Sequence, residues 1–107
     1  MKKVFVIDEA DNVGTVVVAP IDKGEDVGTN GRITDITVTA STDIAYGHKI
    51  ALKDIAKGDT VMKYGLSIGT ASQDIKAGDH VHAHNVESNR GRGDKVSSDD
   101  TSTVPSA

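Results

Sequence analysis

Apolar residues along this chain come in short runs, most of them alternating with polar ones. Lys3 to Ile7 is β-branched, short and closed by Asp8-Glu9-Ala10-Asp11-Asn12, which predicts a first strand. Val13 to Ala19 is continuously apolar and ends at Pro20. It predicts a second strand, buried on both faces or covered by a partner on its outer one. A polar, glycine-containing loop is expected from Asp22 to Gly31. Ile36-Thr37-Val38-Thr39-Ala40 alternates regularly and predicts a half-buried strand with its threonines outward. His80-Val81-His82-Ala83-His84-Asn85 alternates again. As an extended strand it would set three imidazoles on one face, ~6–7 Å apart, with Val81 and Ala83 inward. No segment holds a helical period for more than a turn or two, so the expected class is all-β.

One phrase recurs between the strands. Asp43-Ile44-Ala45-Tyr46-Gly47-His48-Lys49-Ile50 is followed by Asp54-Ile55-Ala56-Lys57-Gly58-Asp59-Thr60-Val61 and by Asp74-Ile75-Lys76-Ala77-Gly78-Asp79-His80-Val81. A weaker copy without the leading Asp is Ile21-Asp22-Lys23-Gly24-Glu25-Asp26-Val27. Each reads as a corner. The Asp is expected to accept a hydrogen bond from a backbone N–H two residues on. The Ile buries beneath it, and the Gly takes the positive φ that redirects the chain into the next strand. The copies are too irregularly spaced for a solenoid and suit a small β fold of short strands joined by similar corners.

Composition narrows the core more than it narrows the function. The 107 residues suit one domain, and with one Phe, two Tyr and no Trp, Val, Ile and Ala must fill the interior. So thin a core often gains stability from a partner subunit. Ser97 to Ala107 offers almost nothing to bury, and a disordered tail over 95–107 is expected. The formal net charge of −4 is spread along the chain without a basic stripe or aromatic platform, which does not suit nucleic acid. The absence of Cys excludes disulfides, thiolate chemistry and iron–sulfur ligation by this chain. No apolar run is long enough to span a membrane, and the basic, then apolar start is cut short by Asp8 and Glu9. A cytoplasmic protein is expected.

Candidate chemistry centres on the histidines. His80, His82 and His84 are candidate metal ligands, since neutral imidazole suits borderline divalent ions, and His82 is also a candidate acid or base. The competing reading is a polar strand face that happens to use histidine. His48-Lys49 follows a corner glycine, where side chains can reach substrate or transfer a proton; the plain alternative is an exposed turn residue and a solvated lysine. Lys53 and Lys63 carry the same ambiguity as candidate substrate contacts. Tyr64, one of two tyrosines, is expected to fill core. Arg90 and Arg92, spaced by glycine, could clamp a carboxylate or sulfonate or dock on a partner. The GxG between them does not follow a buried strand into a helix, which excludes a dinucleotide loop.

In order, Gly47-His48-Lys49-Ile50-Ala51-Leu52-Lys53-Asp54-Ile55, Gly58-Asp59, Lys63-Tyr64-Gly65, Ile68-Gly69, Ile75-Lys76-Ala77-Gly78-Asp79-His80-Val81-His82 and His84-Asn85 resemble a known domain. It is the SAF domain of the UxaA-type sugar-acid dehydratases, which include altronate and galactarate dehydratases. The related sulfolactate sulfo-lyase carries a similar domain as a separate small subunit. The resemblance covers roughly residues 4 to 94, giving an expected domain over 1–94. It implies a β-clip fold like that of type III antifreeze proteins. It also implies a lyase that removes water, or sulfite, from an acidic polyol or its sulfonated analogue, with a divalent metal such as Fe²⁺ or Mn²⁺. The fused dehydratases have a large C-terminal domain that this chain lacks, so a large catalytic subunit is the expected partner, unless the chain is a fragment. His48, Lys49 and His82 are then the catalytic candidates. Lys53, Lys63, Arg90 and Arg92 would contact substrate, and His80, His82 and His84 would bind metal. The reading from a different class is a stand-alone β-clip module that binds sugar acids or ice.

Overall fold

Asp54 and Asp74 stand at the heads of two corners, and each caps the other's turn. The Asp54 carboxylate accepts from the Ala77 N–H and the Asp74 carboxylate from the Lys57 N–H, both at 2.9 Å. Ile55 and Ile75 bridge antiparallel between them. The other pair of corners repeats this around the Ile21–Ile44 bridge, with Asp43 accepting from the Lys23 N–H at 2.8 Å. Pro20 occupies the place of the fourth acid, so this second pair is capped on one side only. The expected bond from each Asp into its own turn is thus replaced by a bond across to the partner corner, which ties segments distant in sequence. In all four corners the glycine has φ between 85° and 94° (Gly24, Gly47, Gly58, Gly78), where a Cβ would be strained. Each glycine N–H reaches a carbonyl of a neighbouring segment: Ala40, Val16, Ala71 and Ala51 in turn.

The computed structural model describes residues 1–88, and among them the corners join nine short strands and no helix. They are β1 (Lys2–Val6), β2 (Val13–Thr15), β3 (Asp26–Gly31), β4 (Thr37–Thr39), β5 (Lys49–Ala51), β6 (Thr60–Lys63), β7 (Leu66–Ala71), β8 (His80–Val81) and β9 (Val86–Ser88). Six form one sheet in the order β4-β3-β1-β2-β5-β8, and three form another, β6-β7-β9. Only β1 and β3 pair in parallel; the remaining pairs are antiparallel. This is the small all-β architecture of short strands in curled sheets that the alternation predicts.

Two apolar clusters fill the fold, each built on one bridged pair of isoleucines. Ile21 and Ile44 pack with Val4, Val6, Val27, Ile50 and Leu52. Ile55 and Ile75 pack with Val13, Ala51, Val61, Ala71 and Val81. Every buried hydrophobic residue is Val, Ile, Ala or the single Leu52, as the shortage of aromatics requires. Tyr64 does not join them. It is 38% exposed, at φ 58° in the two-residue turn that it forms with Gly65 (φ 75°) between β6 and β7. Two successive positive φ values match the twist of a tight hairpin, so Tyr64 sits at a turn position that ordinarily favours Asn or Gly, and its ring is left outside the core.

Three other expectations change. β2 ends at Thr15, not Ala19: Val16 turns inward, whereas Val17 and Val18 are exposed. The Val16 N–H and carbonyl are drawn instead to the fourth-strand corner, bonding His48 and Gly47. The loop expected over 22–31 contains a full strand, β3, whose partner β1 lies far away in sequence and leaves no local signal. Finally, the histidine-rich strand stops at Val81, and residues 82–85 form a turn in which the Asn85 N–H donates to the His82 carbonyl at 3.1 Å. Val81 is buried as expected, but Ala83 is exposed. The tail expected over 95–107 lies outside the described residues.

Candidate functional site

At the end of the larger sheet, the corner that leads into β5 meets the strand end of β8. β5 and β8 pair antiparallel with Ile50 opposite His80, so His48, two residues before Ile50, leans toward the same face. The His48 Nδ1 and His80 Nε2 lie 2.8 Å apart, close enough to share one proton. The His82 ring, carried on the turn after β8, stacks on His48 with centroids 3.9 Å apart and planes 5° from parallel. One nitrogen from each of His48, His80 and His82 lies within 4.8 Å of the other two.

Asn85 holds this arrangement from behind. It is buried, accepts from the His82 N–H at 3.0 Å through Oδ1, and donates through Nδ2 to the His80 carbonyl at 2.8 Å. Its side chain therefore fixes the turn that lifts His82 over His48, a role that the sequence reading does not assign. The signal was local: an Asn three residues after a His at a strand end is a common side-chain closure of a turn.

The electrostatics favour neutral imidazoles. Desolvation, then the neighbouring His84, His48, His82 and Lys49, hold His80 below the ordinary imidazole range. His82 is lowered by desolvation, then by His48, Lys49 and His84. Lys49, half-buried on β5, is itself lowered by desolvation and by Lys63. Neither lysine has a carboxylate partner among the described residues; Lys63 instead lies 4.7 Å over the Tyr64 ring. On a chain of net charge −4 this edge is cationic and unneutralised.

The structure brings together four of the expected site residues, His48, Lys49, His80 and His82, with Lys63 in electrostatic reach of Lys49. His84 is not in the convergent set; its ring lies 5.0 Å from His80 and 36° off its plane. His48 takes its place, because the chain turns after Val81 and cannot keep three alternate residues on one face. Lys53 is exposed, and among the described residues no contact joins it to the histidines. Arg90 and Arg92 lie outside the described residues.

Three imidazoles gathered on one edge suit a small divalent ion. Two nitrogens bound to one ion at ~2.1 Å stand roughly 3 Å apart. The three ring nitrogens lie within 4.8 Å of one another and His82 is stacked on His48, so the rings would have to turn to converge on an ion. The lowered proton affinity of His80 and His82 reduces the competition with protons that ligation must otherwise overcome.

Fold and edge together define a small all-β domain with imidazoles and lysines gathered along one edge. The chain belongs to the altronate/galactarate dehydratase SAF domain family, which matches residues 2–89. It is 55% identical over 74 residues to an altronate dehydratase from Escherichia coli, covering 69% of this chain and 14% of that protein. To the altronate dehydratase of Bacillus subtilis it is 42% identical over 89 residues, covering 83% of this chain and 17% of the relative. It is also 40% identical over 91 residues to a (2R)-sulfolactate sulfo-lyase subunit alpha from Chromohalobacter salexigens, covering 80% of this chain and 95% of the relative. The chain thus spans a small fraction of the dehydratases and nearly all of the sulfo-lyase subunit. Both sets of relatives are named as lyases. No helix among the described residues is long and apolar enough to cross a membrane.

Proposed function

We propose that this chain is the small subunit of a two-component sugar-acid dehydratase of the altronate/galactarate type, with its histidine–lysine edge completing a site on a large subunit. The observation that carries this reading is the convergence of His48, His80 and His82 beside Lys49 on one accessible edge. Eliminating water next to a carboxylate requires a base for the carbon-bound proton, an acid for the leaving hydroxyl, and cations for the carboxylate and developing enolate. The large subunit supplies the base, and this edge supplies the rest.

Lys49 and Lys63 hold the substrate carboxylate and the charge that builds on it as the C–H bond breaks. Where His82, the most exposed of the three rings, takes up a proton instead of an ion, it donates that proton to the β-hydroxyl, which departs as water. His48 and His80 share a proton across their 2.8 Å contact, which keeps both rings oriented. A divalent ion such as Fe²⁺ or Mn²⁺, held by His48, His80 and His82 with further ligands from the partner, would supply Lewis-acid polarisation of the hydroxyl. The enol left behind tautomerises to the 2-keto-3-deoxy acid.

A second reading is supported by the 95% coverage of the sulfo-lyase subunit alpha. There the same cationic edge would serve a C–S cleavage, with sulfite leaving in place of water. One experiment tests both. The chain is co-expressed with its large partner and assayed on altronate, galactarate and sulfolactate, with and without Fe²⁺ or Mn²⁺. Loss of turnover when the small chain is omitted is expected. Full activity of the large chain alone would overturn a catalytic role and leave a binding module.

A further inference from the structure

A cleft of about 510 Å³ shares His80 with the imidazole group, yet neither His48 nor His82 lines it. Its walls come from two corners and the turn after β8: Ser41 and Thr42, Gln73 and Asp74, Asp79, and His84. Its volume is within the ~300–1,000 Å³ of small-molecule clefts. Every lining side chain is polar or ionisable, and none is Lys or Arg. The dehydratase reading above does not use it.

We propose that this cleft is the subsite for the polyhydroxylated tail of a sugar acid whose carboxylate lies at Lys49 and Lys63. This rests on the reading of the histidine edge as a sugar-acid site and gives that site its direction. Asp74 and Asp79 repel a carboxylate from the cleft, while the unneutralised lysines attract one at the other end. Both carboxylates are fixed in place: Asp74 accepts from the Lys57 N–H, and Asp79 accepts from the Lys76 N–H and from the Ser41 hydroxyl at 2.6 Å. Their remaining lone pairs can accept from sugar hydroxyls, the group class that both donates and accepts. Thr42, the Gln73 amide oxygen and the His84 ring supply further donors and acceptors, the Gln73 Nε2 being engaged by the His84 carbonyl at 3.4 Å. Fixed acceptors beside these mixed groups suit a chain of vicinal hydroxyls better than an alkyl group. His80 belongs to both the imidazole group and the cleft wall, so a long polyol tail can pass along it from one to the other, while a short acid has few hydroxyls to place there. The cleft therefore favours a long acid with a neutral polyol end, as in altronate, over short hydroxy acids and over an acid with a second terminal carboxylate, as in galactarate.

The test is an NMR titration of the ¹⁵N-labelled chain with three probes: D-galactonate, neutral galactitol and D-lactate. Galactonate is expected to shift amides at Lys49, Lys63, Thr42, Gln73 and His84. Galactitol should shift only the last three, and lactate only the first two. Gln73→Leu should weaken galactitol binding roughly tenfold, the loss of one or two neutral hydrogen bonds, while leaving the lactate response in place. If both acids perturb the lysines but neither galactonate nor galactitol reaches the cleft, the subsite is overturned and the site reading stands. Galactitol in the cleft with no acid at the lysines overturns the site reading and the direction assigned here. Lactate shifting the cleft as strongly as galactonate overturns the discrimination, and no response to any probe overturns both proposals.

Discussion

Alanine at Gly78 and alanine at Gly58 separate two costs that corner glycines usually carry together. The two residues occupy equivalent places in the paired corners, at φ 94° and 93°. A Cβ at Gly58 meets nothing within 4 Å, whereas one at Gly78 would overlap the carbonyl oxygen of Thr39 on β4. Gly58→Ala therefore carries the backbone penalty alone, ~1–2 kcal/mol. Gly78→Ala adds overpacking against main chain that cannot rotate aside, another ~1–3 kcal/mol. In a domain of this size each kcal/mol lowers Tm by about 4–8 °C, so Gly58→Ala should lose roughly 4–16 °C and Gly78→Ala about 8–40 °C. The ordering is firmer than either range, because the backbone contribution is common to both. Thermal unfolding followed by circular dichroism measures the difference, and urea titration of each variant checks that the transition remains two-state. Gly78 also directly precedes Asp79 and His80, so relief of the overlap displaces the segment that carries the His80 ring and disturbs its 2.8 Å contact with His48. Binding of a divalent ion to the folded variant, measured by calorimetry, should fall for Gly78→Ala and hold for Gly58→Ala. Equal Tm losses for the two variants would refute the claim that the close approach of Gly78 to Thr39 on β4 adds a packing cost to the shared backbone penalty.

Three further outcomes follow from the same geometry. His82→Ala should reduce turnover of the assembled enzyme by at least the ~10²-fold typical of a lost acid–base group, with little change in Tm; matched losses of both would assign His82 a structural role. Because His80 and His82 titrate below the ordinary imidazole value of 6.5, the unfolded chain binds more protons than the folded one in that range, so Tm should fall as pH drops from 7.5 through 6. His80→Gln should flatten that slope, and an unchanged slope would contradict burial of a neutral ring. Asp54→Ala removes the cap on the Ala77 N–H and should cost about 1 kcal/mol in urea unfolding, while Lys76→Ala, which touches only the exposed 4.0 Å ion pair with Asp54, should cost almost nothing.

What could be read in the residues was local. The corners were legible because an Ile that buries and a Gly at positive φ act within a few residues of each other. Their pairing was not legible, since the Asp54–Ala77 and Asp43–Lys23 bonds join segments that only the fold brings together. β3 was missed for the same reason: Asp26 to Gly31 is polar and glycine-rich, and it is a strand because β1 and β4 supply hydrogen-bond partners on both sides. The histidine edge was half legible. Alternation identified His80 and His82, but the period was carried one residue pair too far, past the turn that Asn85 closes. His48 was legible from its place after a corner glycine, and a comparison of the four corners sharpens that signal. Glu25, Asp59 and Asp79 follow the corner glycine in three copies, and the carboxylates of Glu25 and Asp79 accept from backbone N–H groups of their own turns, Asp22 at 3.0 Å and Lys76 at 2.9 Å.

In the fourth corner that place holds His48, an imidazole where the fold elsewhere uses a carboxylate. Other departures from the local rules gather at the same edge. Lys49, next in sequence, is half-buried without an acid. Thr15, directly across from it on β2, has a buried hydroxyl with no hydrogen-bond partner among the described residues. Tyr64 holds a positive φ beside Lys63, which is in electrostatic reach of Lys49. Each of these is unfavourable for folding alone. Natural sequences keep such inconsistencies where a site requires them, and offset them through consistency elsewhere. Here the offset is visible in the other corners, whose acids cap turns and whose isoleucines are buried. A chain selected only to fold would place an acid after Gly47 as it does after Gly24, Gly58 and Gly78. An acid there would neutralise Lys49 and put a carboxylate against His80 and His82, raising their affinity for protons and discouraging an anionic substrate. On the proposed reading, a histidine at that corner in place of an acid leaves Lys49 unneutralised and the proton affinity of His80 and His82 low, as ligation of an ion or binding of an anionic substrate would require.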